Sequence, residues 1–248
     1  MSFRLPTPVL LTLIALAIAT LIGLGVWQVQ RAAWRADLVA TRNARLAGQP
    51  LTAAQARALD PGDLDYRLVA LDGAWDAAHI MILANRARFG VKGENAVQPL
   101  VIAPGEAVLV DRGWYPVAQR DAVIARLRGE RTAGASGLAR SVEGLRASQT
   151  AAGTWTALAP DDMAAGLPYR VAPWYLVEGP LLSGKAPPPS GYPVPGFLPY
   201  SSTTPHVEYA LTWFGLAAAL AVIAVVRFIV APRRARERGG AGRAGGVT

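Results

Sequence analysis

Two long apolar stretches, one near each end of the chain, limit what this sequence can fold into more than any other feature. No charged residue stands between Arg4 and Arg31, and residues 9–27 are apolar apart from Thr12 and Thr20. At 1.5 Å rise per residue, such a helix covers a hydrocarbon core of about 30 Å. The second run, residues 209–231, carries one charge, Arg227, near its end, where a long side chain reaches the headgroups. Trp27 at the close of the first run suits a membrane interface, as do Tyr209 and Trp213 at the opening of the second. A cleaved signal peptide is the rival reading of the first run. Its single leading Arg, its length and the bulky Trp27-Gln28-Val29-Gln30 that follows all speak against cleavage.

Charge placement gives these spans a direction. The net charge of +8 resembles a nucleic-acid signal, but residues 31–208 hold 18 Lys/Arg and 16 Asp/Glu, so the middle of the chain is nearly balanced. Arg233, Arg234, Arg236, Arg238 and Arg243 gather in a tail beyond the second run. A basic cluster just past an apolar run orients a membrane protein and does not read DNA. With Arg4 before the first span, both termini are expected in the cytoplasm. The expected layout is a cytoplasmic N-terminus (1–8), a first span (9–28), a periplasmic domain (29–208), a second span (209–231) and a basic cytoplasmic tail (232–248), set in the inner (plasma) membrane. The lipid bilayer is a partner, and nucleic acid is not. The absence of cysteine rules out a disulfide framework and a thiolate metal site.

Between the spans, the patterning predicts one α+β domain built on an antiparallel sheet or small barrel. Residues 28–45 read as a helix leaving the membrane, stopped by Pro50, and Leu51-Thr52-Ala53-Ala54-Gln55 starts a short second one. Alternation then predicts strands over 66–75 (with a bend at Gly73), 79–85, 95–102, 107–112, 138–147 and 171–177, and a helix over 117–128. Gly90, Gly93 and Pro104-Gly105 mark turns. Residues 185–199 hold six prolines. They form either a stiff spacer returning the chain to the membrane or a loop lying on the domain.

The residues singled out for chemistry open the second span. In Thr204-Pro205-His206-Val207-Glu208-Tyr209, Thr204 suits an N-cap and Pro205 the first helical position. His206 then lies in the first turn, and spacings of three and seven put Tyr209 and Trp213 on its face. A neutral imidazole is the form that ligates iron, and two aromatic rings beside it would cover a flat macrocycle. Trp213 lies about 10 Å further along the axis, too far to share the same iron. A histidine beside two aromatics also serves as a plain interfacial anchor.

Three segments together resemble the Surfeit locus protein 1 family of cytochrome c oxidase assembly factors. The first is Leu24-Gly25-Val26-Trp27-Gln28-Val29-Gln30-Arg31 with Trp34. The second comprises residues 73–86, Gly93-Glu94-Asn95-Ala96-Val97-Gln98-Pro99-Leu100 and Val110-Asp111-Arg112-Gly113-Trp114-Tyr115-Pro116. The third is His206-Val207-Glu208-Tyr209-Ala210-Leu211-Thr212-Trp213-Phe214. Their order relative to the spans matches as well, and only residues 129–165 carry little of the resemblance. It implies a non-enzymatic role in maturing the haem–copper centre of oxidase subunit I, alongside the haem a synthesis machinery. It also implies haem a contact at His206, with Trp213 and Tyr209 beside it. Where the family usually has Asn before the histidine, this chain has Thr204-Pro205.

Other signals carry less. His79 has no His, Cys or Glu partner at ligand spacing and reads as structural or exposed. Gly90-Val91-Lys92-Gly93 lacks the order of a phosphate loop, and Gly134-Ala135-Ser136-Gly137-Leu138 is not a nucleophile elbow. Asp60, Asp63, Asp65 and Asp161-Asp162 read as solvated turns. Arg112-Gly113-Trp114 either holds a haem propionate or closes a strand end. Three functions remain open at this stage: a haem-handling assembly factor, a haem-free scaffold of the same complex, and a membrane-anchored periplasmic enzyme, for which no nucleophile, base and orienting group appear together.

Overall fold

The computed structural model describes residues 6–131, 133–141, 143–182, 191–198 and 205–234. Arg4, Thr204, the arginines of the tail beyond Arg234, and the proline-rich segment at 183–190 and 199 lie outside them. The chain divides into two compact units, residues 1–39 with 202–248, and residues 40–201.

In the first unit both apolar runs are helical. Helix α1 (Thr7–Leu46) continues without a break through the stretch read as a separate exit helix. At the far end of the chain lies α6 (His206–Val225), followed by a π-helical turn over Val226–Val230. Each helix is long and apolar enough to cross a membrane, and only 6% of its apolar window is buried. A core helix of a soluble domain would hide that surface in protein; here it is left for lipid.

The second unit holds a seven-stranded mixed sheet. Its strands are β1 (Leu68–Leu71), β2 (Ala74–Trp75), β3 (Met81–Arg88), β4 (Val91–Ala103), β5 (Glu106–Pro116), β6 (Ala135–Arg140) and β7 (Arg170–Glu178). They lie in the order β1-β6-β7-β5-β4-β2, with β3 also on β4. All pairs are antiparallel except β5 with β7. Four short helices flank them: α2 (Ala53–Arg57), α3 (Pro61–Leu64), α4 (Arg120–Gly129) and α5 (Pro160–Met163). Thr52 and Gln55 cap α2 reciprocally, each side chain bonded to the other's backbone N–H.

The strand expected over 66–75 is two short strands. Gly73 breaks it where a Cβ would meet the Val101 carbonyl at 2.5 Å, so β1 pairs with β6 while β2 pairs with β4. The strand expected over 138–147 ends at Arg140.

Both faces of the sheet are covered. Val69, Leu71, Leu100, Val108, Val110 and Leu176 fill one core with Trp174 and Ala56 of α2. Val97 and Leu109 meet Leu158 and Met163 on the other. Alternation along β5 puts Val108 and Val110 on one side and Leu109 on the other.

The alternation fails at Arg112, and the failure is structural. Ala96 pairs with Gly113 and Val97 with Asp111, so Arg112 faces no residue of β4: it is the extra residue of a β-bulge. The bulge lies within β5, so Arg112 does not close the strand. It turns the guanidinium inward, where the residue is 5% exposed. There its Nε donates to Glu178 at 2.6 Å, Nη2 to Glu130 at 2.8 Å and Nη1 to the Gln98 carbonyl at 3.0 Å. Its Cζ stands 3.7 Å from the centre of the Trp75 ring. Asp111, also buried, accepts from the Asn95 amide and the Gly113 N–H. Burial raises its pKa against those bonds and the nearby Arg86 and Arg88. Glu178 is likewise raised, burial outweighing Arg112.

Removing one partner of a buried ion pair leaves the other charge uncompensated. Arg112→Met is therefore expected to destabilise the sheet domain by about 3–5 kcal/mol, read as a lower urea midpoint of tryptophan fluorescence in the full-length protein. Adding Glu178→Gln should restore part of the loss; a double variant no better than Arg112→Met would break the assignment.

Candidate functional site

The site lies where the two apolar helices meet. Along the first part of α1 the less exposed residues are Leu10, Ile14, Ala17, Ile18, Leu21, Leu24, Gly25, Gln28 and Arg31, which recur every three to four residues, twice as adjacent pairs, and trace a seam down one side. On α6 the corresponding residues are His206, Ala210, Trp213, Ala217, Leu220 and Ala224. Small side chains dominate the inner face of α6, and Ala210 and Ala217 are buried. In lipid, where apolar burial does not drive association, such residues allow close van der Waals approach. Gly25 is buried because Phe214 lies over it; a Cβ there would stand 2.5 Å from the ring.

Above that contact the seam turns polar. Pro205 occupies the N-cap at φ −81°, and His206 opens α6. The imidazole Nδ1 lies 2.8 Å from Oε1 of Gln28 on α1. Nε2 is buried and has no hydrogen-bond partner. In a region poor in water, an unpaired polar nitrogen is costly unless something else takes its lone pair.

The other two expected site residues follow on the same helix. Trp213 is half-buried, and Tyr209 is 50% exposed. Glu208 in the first turn faces outward. Gln28 escaped the site reading altogether. It was visible only as a polar residue in a motif at the end of the first span, and nothing in the sequence joins it to a histidine 178 positions away.

The sheet domain holds a second polar group. Asp76 accepts from the His79 ring at 2.7 Å and from the Tyr169 hydroxyl at 2.7 Å, and also from the N–H groups of Ala78 and His79. Burial pushes this carboxyl up, but the four hydrogen bonds win and hold it below its ordinary 3.8. His79 therefore has an aspartate partner three residues earlier, and the group closes the turn between β2 and β3. Among the described residues no three His, Cys, Asp or Glu side chains gather to hold a metal ion.

The sequence is similar to known proteins over most of its length. The model of the SURF1 family matches residues 15–218, which take in Gln28, the sheet domain, His206 and Trp213. A SURF1-like protein of Monosiga brevicollis is 27% identical over 239 residues, covering 88% of this chain and 85% of that protein. The cytochrome oxidase assembly protein SHY1 of Saccharomyces cerevisiae is 33% identical over 93 residues, 37% of this chain and 24% of its own length. Surfeit locus protein 1 of Mus musculus is 29% identical over 113 residues, 40% of this chain and 37% of its own.

The Gly25–Phe214 contact yields a graded expectation. Gly25→Leu should weaken the pairing of α1 with α6 by about 1–3 kcal/mol, the usual cost of overpacking. Gly25→Ala should cost less, because Phe214 is 36% exposed and its ring can swing toward lipid. Unfolding in mixed detergent micelles, followed by circular dichroism, ranks the two; an unshifted Gly25→Leu transition would deny the contact any role.

Proposed function

Because the chain belongs to the SURF1 family, we propose that it is a membrane-anchored assembly factor for a haem–copper terminal oxidase. On this reading it holds haem a at His206 while the haem–copper centre of subunit I forms, and it turns over no substrate of its own. One relative already bears the name of a cytochrome oxidase assembly protein. The observation that carries the haem reading is the state of His206: one ring nitrogen held by Gln28, the other buried and unpartnered.

The residues present fit such a group. Haem, if bound, would supply an iron that takes a neutral imidazole as ligand, and His206 would hold it through Nε2. Trp213 and Tyr209 offer aromatic faces to a macrocycle, one half-buried against the helix pair and one turned outward. Exclusion of water by the apolar helices strengthens any bond made there and discourages side reactions at the iron.

The arginine-rich tail supports an orientation with both termini cytoplasmic and the sheet domain periplasmic, in the inner membrane. His206 then stands at the outer boundary of the bilayer.

A haem-free scaffold is the second reading, and one observation favours it. The Gln28–His206 bond joins two helices and would stabilise the pair with no ligand at all.

Two experiments follow. Protein purified from cells making haem a should show a Soret band, and His206→Ala should lose at least nine-tenths of it. A wild type without the band, or a variant retaining it, favours the scaffold. For topology, a reporter active only outside the cytoplasm should be active when fused near Gly134 and silent when fused after Arg243. The opposite pattern reverses the orientation.

A further inference from the structure

We propose that Gln28 is the positioning residue of the site: its side-chain carbonyl fixes the protonation pattern of His206, so that Nε2 and not Nδ1 is the ligating atom. The inference deepens the haem reading above and rests on it for its second half. Its first half, the tautomer, stands without any haem.

A neutral imidazole carries one proton and one lone pair, and either nitrogen can hold the proton. A carbonyl oxygen only accepts. Gln28 Oε1 at 2.8 Å from Nδ1 therefore selects the form with the proton on Nδ1. The lone pair is left on Nε2, the atom that is buried and unpartnered. Away from water the preference is strong, because the opposite tautomer would set the Nδ1 lone pair against the carbonyl lone pairs and strand the Nε2 proton. Metal-bound histidines are commonly held in this way, the second ring nitrogen donating to an oxygen that orients the ring and raises its basicity.

The rest of the helix pair keeps Gln28 in place. It continues the inward-facing seam of α1 one turn beyond Gly25, where Phe214 fills the gap against α6. A mobile chain would lose side-chain entropy on making the bond; here the packing below has already brought the two backbones together.

The test uses the full-length protein in bilayers with ¹⁵N-labelled histidine. The chain has two histidines, and His206→Ala identifies the signals of the second by subtraction. In haem-free wild type, His206 should show a protonated Nδ1 and a bare Nε2. Gln28→Leu should give a mixture of both tautomers and weaken haem binding 10- to 100-fold, the usual effect of losing such a partner. Gln28→Glu keeps an accepting oxygen; it should retain the single tautomer, bind haem within a few-fold of wild type and raise the iron–histidine stretching frequency.

A proton found on Nε2 in the wild type overturns the proposal. So does a Gln28→Leu protein with unchanged tautomer and unchanged haem affinity, provided His206→Ala has lost its haem. A fall in affinity with both Gln28 variants alike, and no change in tautomer, marks a packing role only and overturns it too. If the wild type binds no haem, or His206→Ala binds as much, the haem reading fails by itself, and the ligating half of the inference with it.

Discussion

One hydrogen bond, between an amide carbonyl and an imidazole N–H, is the only polar contact described between the two apolar helices. Its importance comes from its surroundings. Apolar side chains gain nothing from one another in lipid that they do not already gain from acyl chains, so helices there are held by close packing and by polar groups that find partners. Ala210, Ala217 and Gly25 provide the close approach. Gln28 and His206 provide the polar match, and they leave one nitrogen over. That remainder is what separates a helix pair from a ligand site, and the proposed function depends on it.

The sheet domain solves a related problem with more charges. Arg112 is buried among two carboxylates, an amide and the face of an indole. It reaches them only because a bulge interrupts the ladder between β4 and β5. The same group borders a cavity of about 520 Å³ with Arg126, Glu130 and Glu178. With its charge already matched, Arg112 is a structural centre of the domain.

Much of this was legible beforehand, for physical reasons. Two apolar runs of membrane length leave few alternatives to spanning helices, and alternating patterns cut by Gly90 and Pro104-Gly105 show where hairpins turn. The readings that missed depend on distant partners. The end of β6 at Arg140 is decided by its pairing with β7, where Arg140 lies opposite Tyr175. The bulge at Arg112 is decided by register against β4, since the local sequence reads as an unbroken strand. The parallel pairing of β5 with β7 leaves no local mark. The position of His206 in its helix and the spacing of Tyr209 and Trp213 from it can be read locally; the Gln28 contact cannot, because hydrogen bonding across helices has no signature in either sequence alone.

The place of β7 has a consequence for the order in which the domain takes shape. Among the described residues it is the last strand to be synthesised, yet it lies in the middle, with β5 on one side and β6 on the other. Until Arg170–Glu178 has emerged, β2 to β5 can pair among themselves and β1 can pair with β6, but nothing joins the two groups. The late segment acts as a keystone: neighbours placed earlier close around it only when it arrives. Contacts between strands so far apart in the chain are slow to form. A chain cut before residue 170 would leave β5 and β6 with open edges.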